Sequence, residues 1–214
     1  MTPPKIYIGI SSMRGMRPRA FNSLPFKSAE IIKMESSVFL DQSRNKTVED
    51  FLKTDYDYLW ILDDDLILPP NAMDIFKVQD PIVAPVSFIR YGGAPYPGIY
   101  SIVNDAGEYL RPWDWKEVYK RKEEDGYIRN IDVVSSSYAV RRDVFEKTKD
   151  NDGEWYKLLW RDNLDRIRRG EDVYFFKRCM DNGYSISANP DVVCGHLKEM
   201  DLKVSFDYLR KMTE

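Results

Sequence analysis

The sequence predicts an α/β fold, with a mostly parallel central sheet and helices on both of its faces. Three observations carry that expectation. Tyr58-Leu59-Trp60-Ile61-Leu62 is an unbroken apolar run of strand length, which suits a strand buried on both sides. Runs of this kind alternate with amphipathic helical stretches through the first half of the chain, the order that gives parallel strands joined by crossovers. Near the end the unit recurs, as a helical stretch after Gly170, closed by Gly183 and followed by the strand-like Tyr184 to Ala188. In such sheets ligands bind at the carboxyl ends of the strands.

Taken in order, Lys5-Ile6-Tyr7-Ile8-Gly9-Ile10 reads as a buried first strand ending in Ser11-Ser12. Residues 13 to 25 are rich in Arg, Pro and small polar side chains and read as a loop. Ser28 to Leu40 has helical character through Ile31, Ile32, Met34 and Glu35. In Asn45 to Lys53, Val48, Phe51 and Leu52 fall at i, i+3 and i+4 and make one apolar helical face. The Tyr58–Leu62 strand stops at Asp63-Asp64-Asp65. Pro69-Pro70-Asn71 then opens a short helix to Phe76, and Pro81 to Val86 is another strand. From Arg90 to Tyr127 the pattern dissolves into a loop marked by Gly92-Gly93, Pro95 and Pro97, and order resumes at Ile131 to Val134. Glu171 to Asn182 carries Val173, Phe176 and Met180 on one helical face. Val192 to His196 closes the readable pattern. No repeat or low-complexity tract divides the chain, so one continuous domain over residues 1–214 is expected.

Acids outnumber bases 35 to 32, for a net charge of −3, and this gives no push toward nucleic acid. Cys179 and Cys194 fit no C-x-x-C spacing and point to a reducing compartment. The N-terminus lacks a signal-like apolar run, and no segment approaches the roughly 20 apolar residues of a membrane span. A soluble, cytoplasmic protein is the expectation.

The acidic triplet is the strongest chemical feature. Adjacent carboxylates at the end of a buried strand repel one another, and a hard divalent cation relieves that repulsion. In an extended segment Asp63 and Asp65 share a side-chain direction, so both are expected to face one ion. Mg²⁺ or Mn²⁺, completed by diphosphate oxygens, suits such a pair.

Arg44-Asn45, the Asp57–Asp65 segment and Pro69-Pro70 together resemble the donor-binding half of GT-A glycosyltransferases, a Rossmann-like fold whose D-x-D motif binds metal and nucleotide sugar. Gly170-Glu171-Asp172-Val173-Tyr174-Phe175-Phe176 is similar to their E-D motif. Asp191-Val192-Val193-Cys194-Gly195-His196 is similar to the late segment whose His completes the metal shell. The matches span residues 5 to 198. The resemblance implies a donor half over 1–88 and an acceptor and catalytic half over 89–214. It implies a cation held by Asp63, Asp65 and His196, and a donor site lined by Ser11, Ser12, Arg44, Asn45, Asp63 and Asp64.

Asp172 is then the general base for the acceptor hydroxyl, its ionisation favoured by the helix N-terminus, and Glu171 orients the acceptor or its neighbours. The donor is a nucleotide diphosphate sugar, with UDP favoured, and the reaction a hexosyl transfer with inversion. Trp113 or Trp115 is a candidate to stack on a sugar, in a loop serving the acceptor. The sequence identifies neither the acceptor nor the oligomeric state. Two rival readings stand beside this one. Gly9 to Phe26 faintly echoes the phosphate loop of sugar nucleotidyltransferases, without its paired glycines. A non-catalytic nucleotide-sugar-binding module is the other.

Overall fold

The computed structural model describes residues 3–12, 16, 18–25, 31–35, 37, 39–91, 94–103, 110–160 and 167–197. In chain order the elements begin with β1 (Ile6–Ser11), α1 (Pro18–Phe21), β2 (Ile31–Glu35), α2 (Leu40–Leu52), β3 (Tyr58–Asp63) and β4 (Leu66–Ile67). A 3-10 turn, Ala72–Lys77, leads to β5 (Ile82–Tyr91), β6 (Ala94–Pro97), β7 (Ile99–Ile102), β8 (Leu110–Pro112) and α3 (Trp115–Lys120). The remainder is β9 (Ile128–Ile131), β10 (Val133–Val134), β11 (Ser137–Arg141), α4 (Arg142–Thr148), β12 (Leu159–Trp160), β13 (Ile167–Arg169), α5 (Glu171–Asp181) and β14 (Ile186–His196).

The central sheet runs β2-β1-β3-β11-β5-β14-β4. The β1–β2, β1–β3 and β5–β14 pairings are parallel, as the continuous apolar runs require. Strand β11 runs against both of its neighbours, pairing antiparallel to β3 and β5, and β14 is antiparallel to β4 at the sheet's edge. Because β11 opposes both, β3 and β5 point the same way. The carboxyl ends of β1, β3, β5 and β14 therefore share one edge of the sheet. Strands from both halves of the chain interleave in it.

Strand alternation divides the interior into two cores. Tyr7, Leu59, Ile61, Ala84, Tyr138 and Val140 face one side, where they pack against Val48 and Phe51 of α2, Phe145 of α4 and Phe175 and Phe176 of α5. Ile6, Ile8, Ile10, Trp60, Leu62 and Val83 face the other. That second side is closed by shorter pieces, including Leu24, Leu66, Leu68 and Ile75. Gly9 sets the closeness of α2 to β1, since a Cβ there would stand 2.3 Å from Thr47 Cγ2.

Three sequence expectations are corrected. The segment assigned helical character from Ser28 to Leu40 contains strand β2 over residues 31–35, hydrogen-bonded to β1 (Ser28 lies outside the described residues). Helix α2 starts earlier than Asn45, at Leu40. The stretch from Arg90 to Tyr127 is not irregular but holds β6, β7, β8 and α3, whose short pairings are set by partner strands rather than by their own sequence. At the other end, α5 stops where Gly183 was expected to stop it. Gly183 has φ +80°, and its N–H and that of Tyr184 donate to the Met180 and Cys179 carbonyls at 2.9 Å each. Cys179 and Cys194 are buried free thiols. No helix among the described residues is long and apolar enough to cross a membrane.

Candidate active site

The acid triplet lies at the shared carboxyl edge, and each of its members faces a different partner. Asp63 is the last residue of β3, and its backbone N–H donates to the Ser136 carbonyl at 3.0 Å. Its Oδ1 accepts from Arg44 Nη2 at 3.2 Å. Asp64 accepts from the hydroxyl of Ser12, just beyond the end of β1. Asp65 Oδ1 stands 2.9 Å from Nε2 of His196, the last residue of β14. Residues 64 and 65 form a turn, so the two-residue alternation expected to aim Asp63 and Asp65 alike does not hold. Among the described residues no group of three or more His, Cys, Asp or Glu side chains gathers as a metal cage.

The Asp65–His196 contact is chemically incomplete. His196 Nδ1 lies 2.6 Å from the Phe88 carbonyl oxygen, which can only accept, so Nδ1 carries the proton. In the neutral ring Nε2 then presents a lone pair, and that buried atom has no hydrogen-bond partner. A lone pair and a carboxylate oxygen cannot bond to each other. Either a second proton or a cation must lie between them. Fixing the far ring nitrogen on a backbone carbonyl is how metal-binding histidines are oriented. One carboxylate oxygen and one imidazole nitrogen suit Mn²⁺, and also Mg²⁺ if diphosphate oxygens and water complete its shell. The residues present therefore fit a divalent cation held by two protein ligands, with positions left open.

The second cluster surrounds Arg44. This arginine is 2% exposed and lies between the rings of Tyr138 and Tyr156, 5.9 and 5.7 Å from their centroids. Its Nη1 is 2.7 Å from Glu171 Oε1, yet is not aligned as a hydrogen bond, and its Nε has no partner. Arg44 was expected to line the donor site, but its guanidinium faces two carboxylates of the protein itself. Asn45 was expected there too. Its side-chain oxygen instead accepts from the Trp155 and Tyr156 N–H groups at 3.0 Å each, and its amide donates to the Tyr156 carbonyl at 2.8 Å. Asn45 thus fixes the segment that lays Tyr156 against Arg44.

Glu171 and Asp172 open α5, as expected. Glu171 is 8% exposed and turned to Arg44, so it supports the cluster instead of reaching an acceptor. Burial, then the adjacent Glu171 carboxylate, raises Asp172 to about 6 against the pull of Arg44. Gly170 permits this packing, since a Cβ there would stand 3.0 Å from Asp172 Oδ1. Burial also lifts Asp63 above the ordinary carboxylate range, with Arg44 opposing.

Sequence reasoning missed Tyr100 of β7. Burial first and the Asp172 carboxylate second push its phenol to about 12, so it stays protonated beside the candidate base. It lies in the stretch read as structureless, and no sequence signal singled it out. Trp113 is fully buried, with Nε1 donating to Ser101 Oγ at 2.8 Å, so it offers no face to a sugar. Trp115 packs against Phe88 and stacks on Tyr119.

No protein-family model matches the chain, and no curated protein matches it by sequence. Solved structures do match its fold. A197 from STIV superposes with a TM-score of 0.58 at 17% identity, over 91% of this chain and 86% of that one. GalNAc-T7, solved with UDP, GalNAc and Mn²⁺, superposes with a TM-score of 0.58 at 13% identity, over 94% of this chain. The chain spans 45% of the GalNAc-T7 chain. The fold is thus α/β of the GT-A kind, and at these identities the likeness is one of fold.

Proposed function

We propose that the protein is a metal-dependent glycosyltransferase that moves a sugar from a nucleoside diphosphate, UDP for preference, to an acceptor hydroxyl. The observation that carries this reading is the Asp65–His196 pair, a carboxylate oxygen and a ring nitrogen 2.9 Å apart whose contact needs a proton or a cation to complete it, at the carboxyl edge of the sheet. The GalNAc-T7 likeness supports it, since that protein was solved with UDP and Mn²⁺.

Asp65 and His196 would hold the cation, which would supply charge neutralisation to the departing diphosphate. Asp64, held by Ser12, and the buried Ser11 define the nucleoside side of the pocket. Asp172 accepts the proton of the acceptor hydroxyl as that oxygen bonds to the anomeric carbon and the bond to diphosphate breaks, a direct displacement with inversion. Its raised pKa keeps it a competent base near neutrality. Tyr100, protonated beside it, offers a hydroxyl donor to a group bound there.

A thermal-shift panel of UDP, GDP, CMP and ATP, each with Mn²⁺, Mg²⁺ or chelator, tests the reading. The expected result is stabilisation by UDP only with metal present, and its loss in Asp65→Ala and in His196→Ala. A shift with ATP in place of the diphosphates moves the assignment to a nucleotidyltransferase. Binding of UDP with no turnover of any UDP-sugar leaves a binding module. No shift under any metal condition removes the donor-site assignment.

A further inference from the structure

One guanidinium joins the two clusters. Arg44 reaches Asp63, at the end of β3, with Nη2, and Glu171, at the start of α5, with Nη1. These carboxylates lie in opposite halves of the chain, Asp63 next to residues assigned above to the donor and its cation, and Glu171 next to the candidate base. Neither contact is ideal. The Asp63 bond is long at 3.2 Å, and the Glu171 contact, although 2.7 Å, is not aligned. Nε has no partner at all, so a side chain that is 2% exposed keeps unused donors. A buried guanidinium held only for stability is ordinarily satisfied, and an apolar side chain of similar volume is as good or better in that role. The Tyr138 and Tyr156 rings confine the guanidinium between them, and Asn45 fixes the backbone that carries Tyr156.

We infer that Arg44 is a positioning residue through which occupancy of the donor site by a nucleoside diphosphate and its cation sets the first turn of α5, and hence Asp172. The inference rests on the function proposed above. Asp63 sits two residues before Asp65, so a cation brought to Asp65 and His196 adds positive charge beside the Asp63 carboxylate and weakens its hold on Arg44. A guanidinium that loses Asp63 is free to align both of its remaining donors on Glu171. That draws Glu171, and the helix turn it begins, into a single arrangement. With donor and cation in place, the first turn of α5, and Asp172 with it, takes one arrangement.

Amide hydrogen exchange reads this without turnover. In the unaltered protein, UDP with Mn²⁺ is expected to slow exchange at the Tyr174–Phe176 amides about tenfold or more, whereas UDP with chelator does not. Arg44→Lys keeps the charge but loses the fork that serves two carboxylates. It is expected to bind UDP and Mn²⁺ within about threefold of the unaltered affinity while the slowing at α5 disappears (RT ln 3 being under 1 kcal/mol). If Arg44→Lys does not fold, Arg44→Gln takes its place. Equal slowing in the variant, or no slowing at α5 in the unaltered protein despite binding, overturns the inference. Loss of UDP binding in the variant also overturns it, by making Arg44 a donor ligand. If the unaltered protein binds no nucleotide with metal, the functional assignment fails, and this inference falls with it.

Discussion

Two arginines serve helix α2, and they are built in opposite ways. Arg142, at the start of α4, donates to four backbone carbonyls at and just after the end of α2: Phe51 at 3.3 Å, Leu52 at 3.2 Å, Thr54 at 2.6 Å and Tyr56 at 3.0 Å. Its guanidinium also lies 4.7 Å from the centroid of the Phe51 ring. Phe51 and Leu52 close the helix and Thr54 and Tyr56 follow it, so the guanidinium sits at a helix C-terminus, where a cation is favoured. Arg44, on the same helix, meets carboxylates instead of carbonyls and leaves two nitrogens unused. The first arginine completes a backbone. The second joins two carboxylates and leaves part of its hydrogen-bonding capacity unmet. A filled inventory of hydrogen bonds marks structure, and a buried inventory left open marks function.

The largest effect expected around Arg44 is on rate. Asp172→Asn should lower UDP release from a UDP-sugar by about 10²- to 10⁴-fold, with UDP–Mn²⁺ affinity retained. In the unaltered protein the rate should fall as pH drops through about 6, because the base must be ionised. Stability runs the other way. A carboxyl raised in the folded state binds a proton that the unfolded chain has already released, between its ordinary value of about 4 and the raised one. The stability it contributes is full below that window and is lost as pH rises through it. Asp172→Asn should therefore raise the Tm at pH 7, with the gain vanishing below about pH 4. A Tm at pH 7 equal to or below that of the unaltered protein would show that Asp172 is not strained by burial.

Stability comparisons sharpen the contrast between the arginines. Arg44→Met alone strands Asp63 and Glu171 and should cost about 3–5 kcal/mol. Arg44→Met combined with Glu171→Met should recover the share of that loss that stranded Glu171 causes, read in denaturant titrations, since an apolar pair replaces that ion pair. Arg142→Met should cost about 2–3 kcal/mol by removing charge-assisted bonds to four carbonyls, with no second change able to restore it. If the double variant at Arg44 is as unstable as the single one, the distinction between the two arginines disappears. The smallest effect is at the far end of α5. Gly183→Ala should lower stability by about 1 kcal/mol, or a Tm shift of about 2–4 °C, because φ +80° penalises a Cβ.

What the sequence reveals depends on whether a residue's role is local. The β3 run and the triplet after it are legible because burial on both faces leaves no polar position until the strand ends. Helix α5 is legible from the spacing of Val173 and Phe176 and from Gly183. Residues 31–35 mislead, because Ile31, Ile32 and Met34 suit either period and only the edge pairing with β1 decides. Trp113 misleads in another way, since its burial depends on Ser101 of a three-residue ladder with no pattern of its own. In the site, the residue types at Asp65, Asp172 and His196 were readable while their partners were not. Arg44 sits among charged neighbours on a helix and looks solvated. Its burial follows from Tyr138 of β11 and from Tyr156, both distant in sequence, the latter held over it by Asn45.

The reversed strand β11 has a consequence for how the protein is made. It alone bridges β3 to β5, yet it is synthesised after β6, β7, β8, α3, β9 and β10. While the chain leaves the ribosome, the apolar edge of β3 stays open until Ser137–Arg141 emerges, and β5 waits for β14 as well. Nascent chains of this protein should therefore remain dependent on chaperones until most of their length has been translated, and a stall before residue 137 should leave an aggregation-prone intermediate.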